Sequence, residues 1–200
     1  ASTGTNHIDK SYADKLQIPI LALTEEREVI NKISSTAEQA FALTLAGLRN
    51  ISAGHSAVLK GEWDYTKFIG RQMNALTIGV IGYGRLGSIY ADFCRAFGSR
   101  VLIYDPYEQV SSLQDIFTNS NVISIHVHVT NETINMINSD VLRFMKGDAL
   151  LVNTARGDIV NENDLVKFLE ANPESQVATD VLSDEIRNRL SSPLLQYAHK

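Results

Sequence analysis

The sequence predicts an α/β domain built on a doubly wound parallel sheet, and three observations carry that reading. Apolar, β-branched runs recur at 76–81, 101–104, 122–129, 149–153 and 176–182, separated by segments long enough for the right-handed crossovers that parallel strands require. The first run leads directly into Gly82-Tyr83-Gly84-Arg85-Leu86-Gly87. Beyond it Leu86, Ile89, Tyr90, Phe93, Cys94 and Phe97 fall at helical spacing, so strand, tight turn and amphipathic helix follow one another. Strand, glycine turn and helix in this order are the opening unit of a Rossmann-type sheet.

That unit has a ligand chemistry. Gly82 allows a sharp turn, Gly84 lets a pyrophosphate approach the backbone, and Gly87 lets the helix close on the strand, while the N–H groups of the helix start attract phosphate charge. Gly98 is placed to end the helix. Asp105 follows the second strand, about 20 residues beyond the last glycine, where a carboxylate accepts hydrogen bonds from ribose hydroxyls. A 2′-phosphate would meet a like charge there, and Pro106, Tyr107 and Glu108 offer no arginine to receive it. The pattern therefore predicts NAD rather than NADP.

Composition narrows the class. The 200 residues are 44% hydrophobic and 20% charged, enough for a sizeable core and too apolar for wholesale disorder. No run reaches the ~20 apolar residues of a membrane-spanning helix, and the first residues show no leader-like pattern. The formal charge of −5 has no local basic cluster set against it, so no nucleic-acid partner is expected. With one cysteine there is no internal disulfide, and Cys94 reads as a small buried hydrophobe in a reducing compartment, hence a cytoplasmic protein.

Before the glycine unit the pattern is less regular. Residues 8–17 read as a short helix and 18–23 as a strand. Ser35-Thr36-Ala37-Glu38 reads as a capping box opening a long helix with Ala37, Phe41, Leu45 and Leu48 on one stripe. Leu43 and Ala46 widen its apolar surface, which fits a hinge or a homodimer contact through the 36–50 region. Residues 51–75 read as a mixed bridge. Farther on, Asn161-Glu162-Asn163-Asp164 caps a helix that Pro173 helps to end.

Two further clusters sit at strand ends. Asn153-Thr154-Ala155-Arg156-Gly157 brings an arginine to the carboxyl edge of the sheet, where a guanidinium can hold a carboxylate bidentately. Asp180-Val181-Leu182-Ser183-Asp184-Glu185 does the same with carboxylates. His126 and His128 alternate on one strand without a third ligand nearby, so no metal is expected.

Taken in order, Ser2-Thr3-Gly4-Thr5-Asn6, the 35–38 cap, the glycine loop, Tyr104-Asp105-Pro106, Ile125-His126-Val127, Asn153 to Gly157 and Asp180 to Glu185 resemble the D-isomer-specific 2-hydroxyacid dehydrogenases, the phosphoglycerate dehydrogenases among them. The resemblance implies that 1–35 is the remnant of a smaller flavodoxin-like substrate domain and 36–200 an NAD-binding Rossmann domain lacking its last strand. It implies hydride transfer between NAD and carbon 2 of a small 2-hydroxy or 2-keto acid. Arg156 then takes the role of substrate-binding arginine and Glu185 that of the acid paired with a catalytic histidine. Gly82, Gly84, Arg85, Leu86, Gly87, Asp105, His126, Thr154, Ala155 and Asp180 line the cofactor cleft, and Ser2, Thr3 and Gly4 touch substrate.

The resemblance places the acid–base histidine in a Thr-Pro-His setting roughly twenty residues after the glutamate, and such a group contributes ~10²–10⁴ in rate. The stretch from Glu185 to Lys200 is shorter than that, and His199 lacks the neighbours. This fragment, shortened at both ends, is thus expected to bind NAD without turning over hydroxypyruvate. Alternatives of the same fold are a corepressor-like NAD-binding regulatory module and a glyoxylate or hydroxypyruvate reductase. Glu185 counts against a formate dehydrogenase, which departs from the pattern at that acid.

Overall fold

The structure, a computed structural model, describes residues 8–23, 26–105, 107 and 111–198. The chain divides into two compact units, Ala1–Ser35 and Thr36–Lys200.

In the first unit, helix α1 (Lys10–Lys15) is capped by Asp9, whose carboxylate accepts the Tyr12 N–H at 3.0 Å. It ends in a left-handed Gln17, with the Ile18 N–H reaching back to the Ala13 carbonyl at 3.0 Å. A second, single-turn helix α2 covers Arg27–Ile30. The strand predicted for 18–23 is not formed: none of the strands of the sheet includes these residues, and Leu21 is 95% exposed.

The helices that follow are α3 (Ser35–Leu48), α4 (Ile51–Leu59), α5 (Arg85–Ala96), α6 (Leu113–Asn119), α7 (Ser139–Leu142), α8 (Glu162–Ala171) and α9 (Glu185–Asn188). Strands β1 (Thr77–Ile81), β2 (Arg100–Tyr104), β3 (Val122–Ile125), β4 (Leu150–Asn153) and β5 (Gln176–Thr179) pair in the order β2-β1-β3-β4-β5, all parallel. Both faces are covered, as the near-continuous apolar strands require. Ile78, Val80, Val122, Leu150 and Val152 point to one face, packed with Ala40 and Leu48 of α3 and Tyr90 and Cys94 of α5. Ile81, Ile123, Ile125 and Leu151 point to the other, against residues of α6, α7 and α8. Gly79 lets α6 lie close, since a Cβ there would stand 2.5 Å from both Ile116 Cγ2 and Ser120 Oγ.

Strand order reverses at β1, so chain leaves the carboxyl ends of β1 and β3 in opposite directions and opens a crevice between them. β5 is the opposite edge, and a groove of about 860 Å³ runs along it between α3, α4 and the turn Pro193–Tyr197.

Several predicted boundaries move. The run 122–129 leaves the sheet after Ile125 because its partners Ile81 and Asn153 are the last paired residues of β1 and β4. For the same reason 176–182 ends at Thr179, opposite Asn153. Ser35 is already helical rather than a cap. Of the predicted stripe of α3, Ala37 and Leu48 are buried and Phe41 and Leu45 are half-buried against the same core, while Ala40 and Thr44 join the buried positions, Thr44 through a hydrogen bond to Tyr90. The stretch read as a mixed bridge holds a further helix, α4, set off from α3 by a left-handed Asn50.

Candidate functional site

The parallel sheet gathers its candidate residues at one edge, because every strand delivers its following loop to the same side. At β1 the chain turns through Gly82, whose φ of 92° is in the left-handed range; a Cβ there would meet the His126 carbonyl carbon at 2.8 Å. Gly84 is the N-cap of α5, and a Cβ on it would meet nothing within 4 Å. A Cβ on Gly87 would stand 1.9 Å from the Gly82 carbonyl oxygen, so only glycine lets the first turn of α5 close over the loop. Arg85, Leu86 and Gly87 precede the first intrahelical bond, from the Ser88 N–H to the Gly84 carbonyl at 2.9 Å. Gly98, left-handed at φ 82°, ends the helix with the Ser99 N–H bonded to the Cys94 carbonyl at 3.0 Å.

Asp105 stands at the end of β2. Its carboxylate accepts the N–H of Tyr83 at 2.6 Å and that of Tyr107 at 2.9 Å, tying the glycine loop to the neighbouring strand. Arg95, one helix face away, donates to the Tyr83 hydroxyl at 3.2 Å and to Asp92 at 2.8 Å.

Under the loop lies a buried polar cluster. The His126 ring packs on Tyr90 at 4.9 Å between centroids, and its Nε2 is 2.9 Å from the Ser124 hydroxyl. Tyr90 shares a hydrogen bond of 2.8 Å with Thr44, which also donates to the Ala40 carbonyl. Burial pushes His126 down to about 4, the Cys94 thiol up to about 12 and the Tyr90 phenol well above its usual range, so all three stay neutral at ordinary pH.

β4 and β5 supply the second half of the edge. Asn153, 4% exposed, braces the turn after β4: its amide donates to the Arg156 carbonyl at 2.9 Å and accepts the Ala155 N–H at 3.0 Å. Arg156 is half-buried and donates through Nη1 to the Ala155 carbonyl at 2.6 Å. Thr154 is 5% exposed, and its hydroxyl finds no partner among the described residues. A Cβ on Gly157 would stand 2.0 Å from the Leu182 carbonyl carbon and 2.2 Å from the Ser183 nitrogen, so the turn carrying Arg156 and the loop carrying Asp180 and Glu185 touch backbone to backbone. Glu185 accepts the Leu182 N–H at 2.8 Å. The Asp180 carboxyl is raised by burial and by the nearby Glu185 charge, against the opposing pull of Arg156.

Ser2, Thr3, Gly4 and His199 lie outside the described residues. Among the described residues no three His, Cys, Asp or Glu side chains gather as a metal site, and no helix is long and apolar enough to cross a membrane. Sequence reasoning did not single out Asn153 or Thr179 as bracing residues. The Thr179 hydroxyl bridges the ends of β4 and β5, 3.0 Å from the Asn153 carbonyl and 2.7 Å from that of Val181. Their polar side chains at the end of apolar strands were the available signal.

The residues fit a dinucleotide: open space faces Gly84, a long helix begins at the loop, a carboxylate closes β2, and the buried Thr154 hydroxyl has no partner among the described residues. Fold and edge together define a dinucleotide-binding α/β domain. The model of the D-isomer specific 2-hydroxyacid dehydrogenase NAD-binding domain matches residues 41–199, and the chain belongs to that family. Among curated relatives it is 34% identical over 195 residues to a D-3-phosphoglycerate dehydrogenase of Archaeoglobus fulgidus, covering 92% of this chain and 36% of that protein. To a second, from Synechocystis, it is 31% identical, covering 92% and 34%. Among solved structures it is similar to D-lactate dehydrogenase from Aquifex aeolicus complexed with NAD and lactic acid, at 32% identity and a TM-score of 0.81 over 98% of this chain and 60% of that one. It is also similar to an NAD-dependent formate dehydrogenase from Staphylococcus aureus in complex with NAD, at 30% identity and a TM-score of 0.82 over 96% and 59%. The chain thus spans about a third of the length of those curated relatives.

Proposed function

We propose that the chain is the NAD-binding part of a dehydrogenase acting on a small D-2-hydroxy acid, with residues 1–35 belonging to a substrate domain and 36–200 to the cofactor domain. The observation that carries this reading is the contact between the Arg156–Gly157 turn and the 180–185 loop on the same sheet edge as the glycine loop. That contact brings the turn bearing Arg156 against the loop bearing Asp180 and Glu185, so a cation and two carboxylates are delivered by adjoining segments of one edge, which a site for cofactor alone would not require.

In this reading Gly82, Gly84 and Gly87 shape the pyrophosphate turn, and the N–H groups of Arg85 and Leu86 receive its charge. Asp105 takes the adenosine ribose. Thr154, Ala155 and the His126 segment line the cleft, and Asp180 meets the carboxamide of the nicotinamide. Bound NAD supplies the ring carbon that accepts or donates hydride. Arg156 clamps the carboxylate of the acid, a planar anion suited to the guanidinium fork. Glu185 raises the proton affinity of a histidine contributed from beyond Glu185 in the whole protein, and Ser2, Thr3 and Gly4 offer main-chain donors to substrate. The acid is of the 3-phosphoglycerate kind, on the names of the curated relatives. Two copies associate through the 36–50 region, beside which Ile51, Leu59 and Trp63 are 57%, 74% and 86% exposed.

Titration of this chain with NADH and NADPH by fluorescence tests the reading. NADH is expected to bind and NADPH to bind at least tenfold more weakly, the ~1.4 kcal/mol that one misplaced charge readily costs. Absence of NADH binding would overturn it. Substrate class is tested on a product extended at both ends, where replacing Arg156 with Ala should abolish reduction of hydroxypyruvate.

A further inference from the structure

Glu162 is the first residue of α8 and is 7% exposed. A buried carboxylate is costly unless its oxygens are bonded, and here both are. Oε1 accepts the main-chain N–H of Ser183 and Oε2 the hydroxyl of Ser192, each at 2.7 Å. Ser183 sits inside the loop that bears Asp180 and Glu185, and Gly157 approaches the same loop, where a Cβ on it would stand 2.2 Å from the Ser183 nitrogen. The Ser183 hydroxyl adds a bond of 3.3 Å to Asp158 in the turn after Arg156.

We propose that Glu162 is a positioning residue: its carboxylate pins the 181–185 loop against the Arg156–Gly157 turn and so sets Asp180 and Glu185 relative to Arg156 at the nicotinamide and substrate end of the site. This rests on the reading given above for Asp180. Glu162 touches neither ligand in this scheme. It acts through the Ser183 amide, which makes it distinct from residues at the glycine loop. The adenosine end of the site hangs on β1, α5 and β2, none of which Glu162 contacts through these hydrogen bonds. Loss of the clamp should therefore be felt at one end of a dinucleotide and not at the other.

The experiment is calorimetric titration of the chain with NADH and with ADP-ribose, which keeps the adenosine end and lacks the nicotinamide. Wild type is expected to bind both. Glu162→Ala should weaken NADH about tenfold, the scale on which supporting residues act, and leave ADP-ribose within about twofold. Glu162→Gln should restore most of the loss, because its amide oxygen can accept the Ser183 N–H while its NH₂ donates to Ser192. Hydrogen exchange should speed up at the Ser183 amide in Glu162→Ala and stay slow in β1 and β4. Equal weakening of both ligands, or no weakening of NADH, would overturn the inference while leaving the function proposed above intact. Failure of wild type to bind either ligand would overturn both. If Glu162→Ala does not fold, Ser192→Ala decides: a smaller loss confined to NADH supports the clamp, and unchanged NADH binding overturns it.

Discussion

The Tyr83 main-chain N–H donates to Oδ2 of Asp105 at 2.6 Å, so the carboxylate proposed to meet the ribose also holds the glycine loop in place. A hydrogen bond to a charged acceptor is worth about 1.5–3 kcal/mol, and removing the acceptor strands the N–H. Asp105→Ala is expected to lower stability by an amount in that range as well as to weaken NADH. Asp105→Asn keeps an oxygen for Tyr83 and should recover most of the stability. Chemical denaturation of both variants checks this; an Asp105→Ala protein as stable as wild type would separate the loop from the carboxylate.

Gly157 is the position where the two halves of the charged edge meet. Its missing Cβ would stand 2.0–2.3 Å from Leu182 and Ser183 main-chain atoms, which have no rotamer through which to yield. Gly157→Ala is expected to cost 2 kcal/mol or more, at the upper end of the ~1–3 kcal/mol typical of overpacking, and to displace the loop bearing Asp180 and Glu185. Gly84→Ala, in open space, should leave stability of the ligand-free chain within about 0.5 kcal/mol. Thermal melts of the pair give the comparison directly.

Those glycines also show which parts of the fold were legible in the chain. β1, α5 and the positions of Gly82, Gly84, Gly87 and Gly98 were readable because turn chemistry and 3.6-residue periodicity are local. The end of β3 was not: His126-Val127-His128 continues to alternate, yet β1 and β4 offer no partner beyond Ile81 and Asn153. Thr44 could not be recognised as core, since its burial depends on Tyr90, far away in sequence. Asn161-Glu162 was legible as a helix start, and Asn161 does cap α8. That Glu162 turns back to Ser183 and Ser192 depends on how β5 delivers its loop, which no local pattern encodes.

His126 gives the chain a defined acid response. Burial lowers its ring from 6.5 to about 4, so between those values the unfolded chain binds the proton that the folded chain refuses. Stability is complete above pH 6.5, declines as pH falls toward 4, and loses nothing more to this group below that. The full span corresponds to about 3 kcal/mol at 1.36 kcal/mol per pH unit. His126→Gln should flatten the slope of unfolding free energy against pH in that window relative to wild type. An unchanged slope would mean that the ring takes up its proton in the folded state.

Thr154 separates stability from binding. Its hydroxyl is buried at the crevice edge and has no partner among the described residues, and such an orphaned group costs about 1–3 kcal/mol in the ligand-free protein. Valine has nearly the same shape without the hydroxyl. Thr154→Val is therefore expected to melt higher than wild type in the absence of ligand. If the hydroxyl is retained as a partner for the dinucleotide, the same variant should bind NADH several-fold more weakly, so that added NADH narrows or reverses the difference in melting temperature. A melting series with and without saturating NADH reads both effects on one axis. A variant that is stabilised equally in both conditions would remove Thr154 from the binding surface and leave its hydroxyl a purely structural cost.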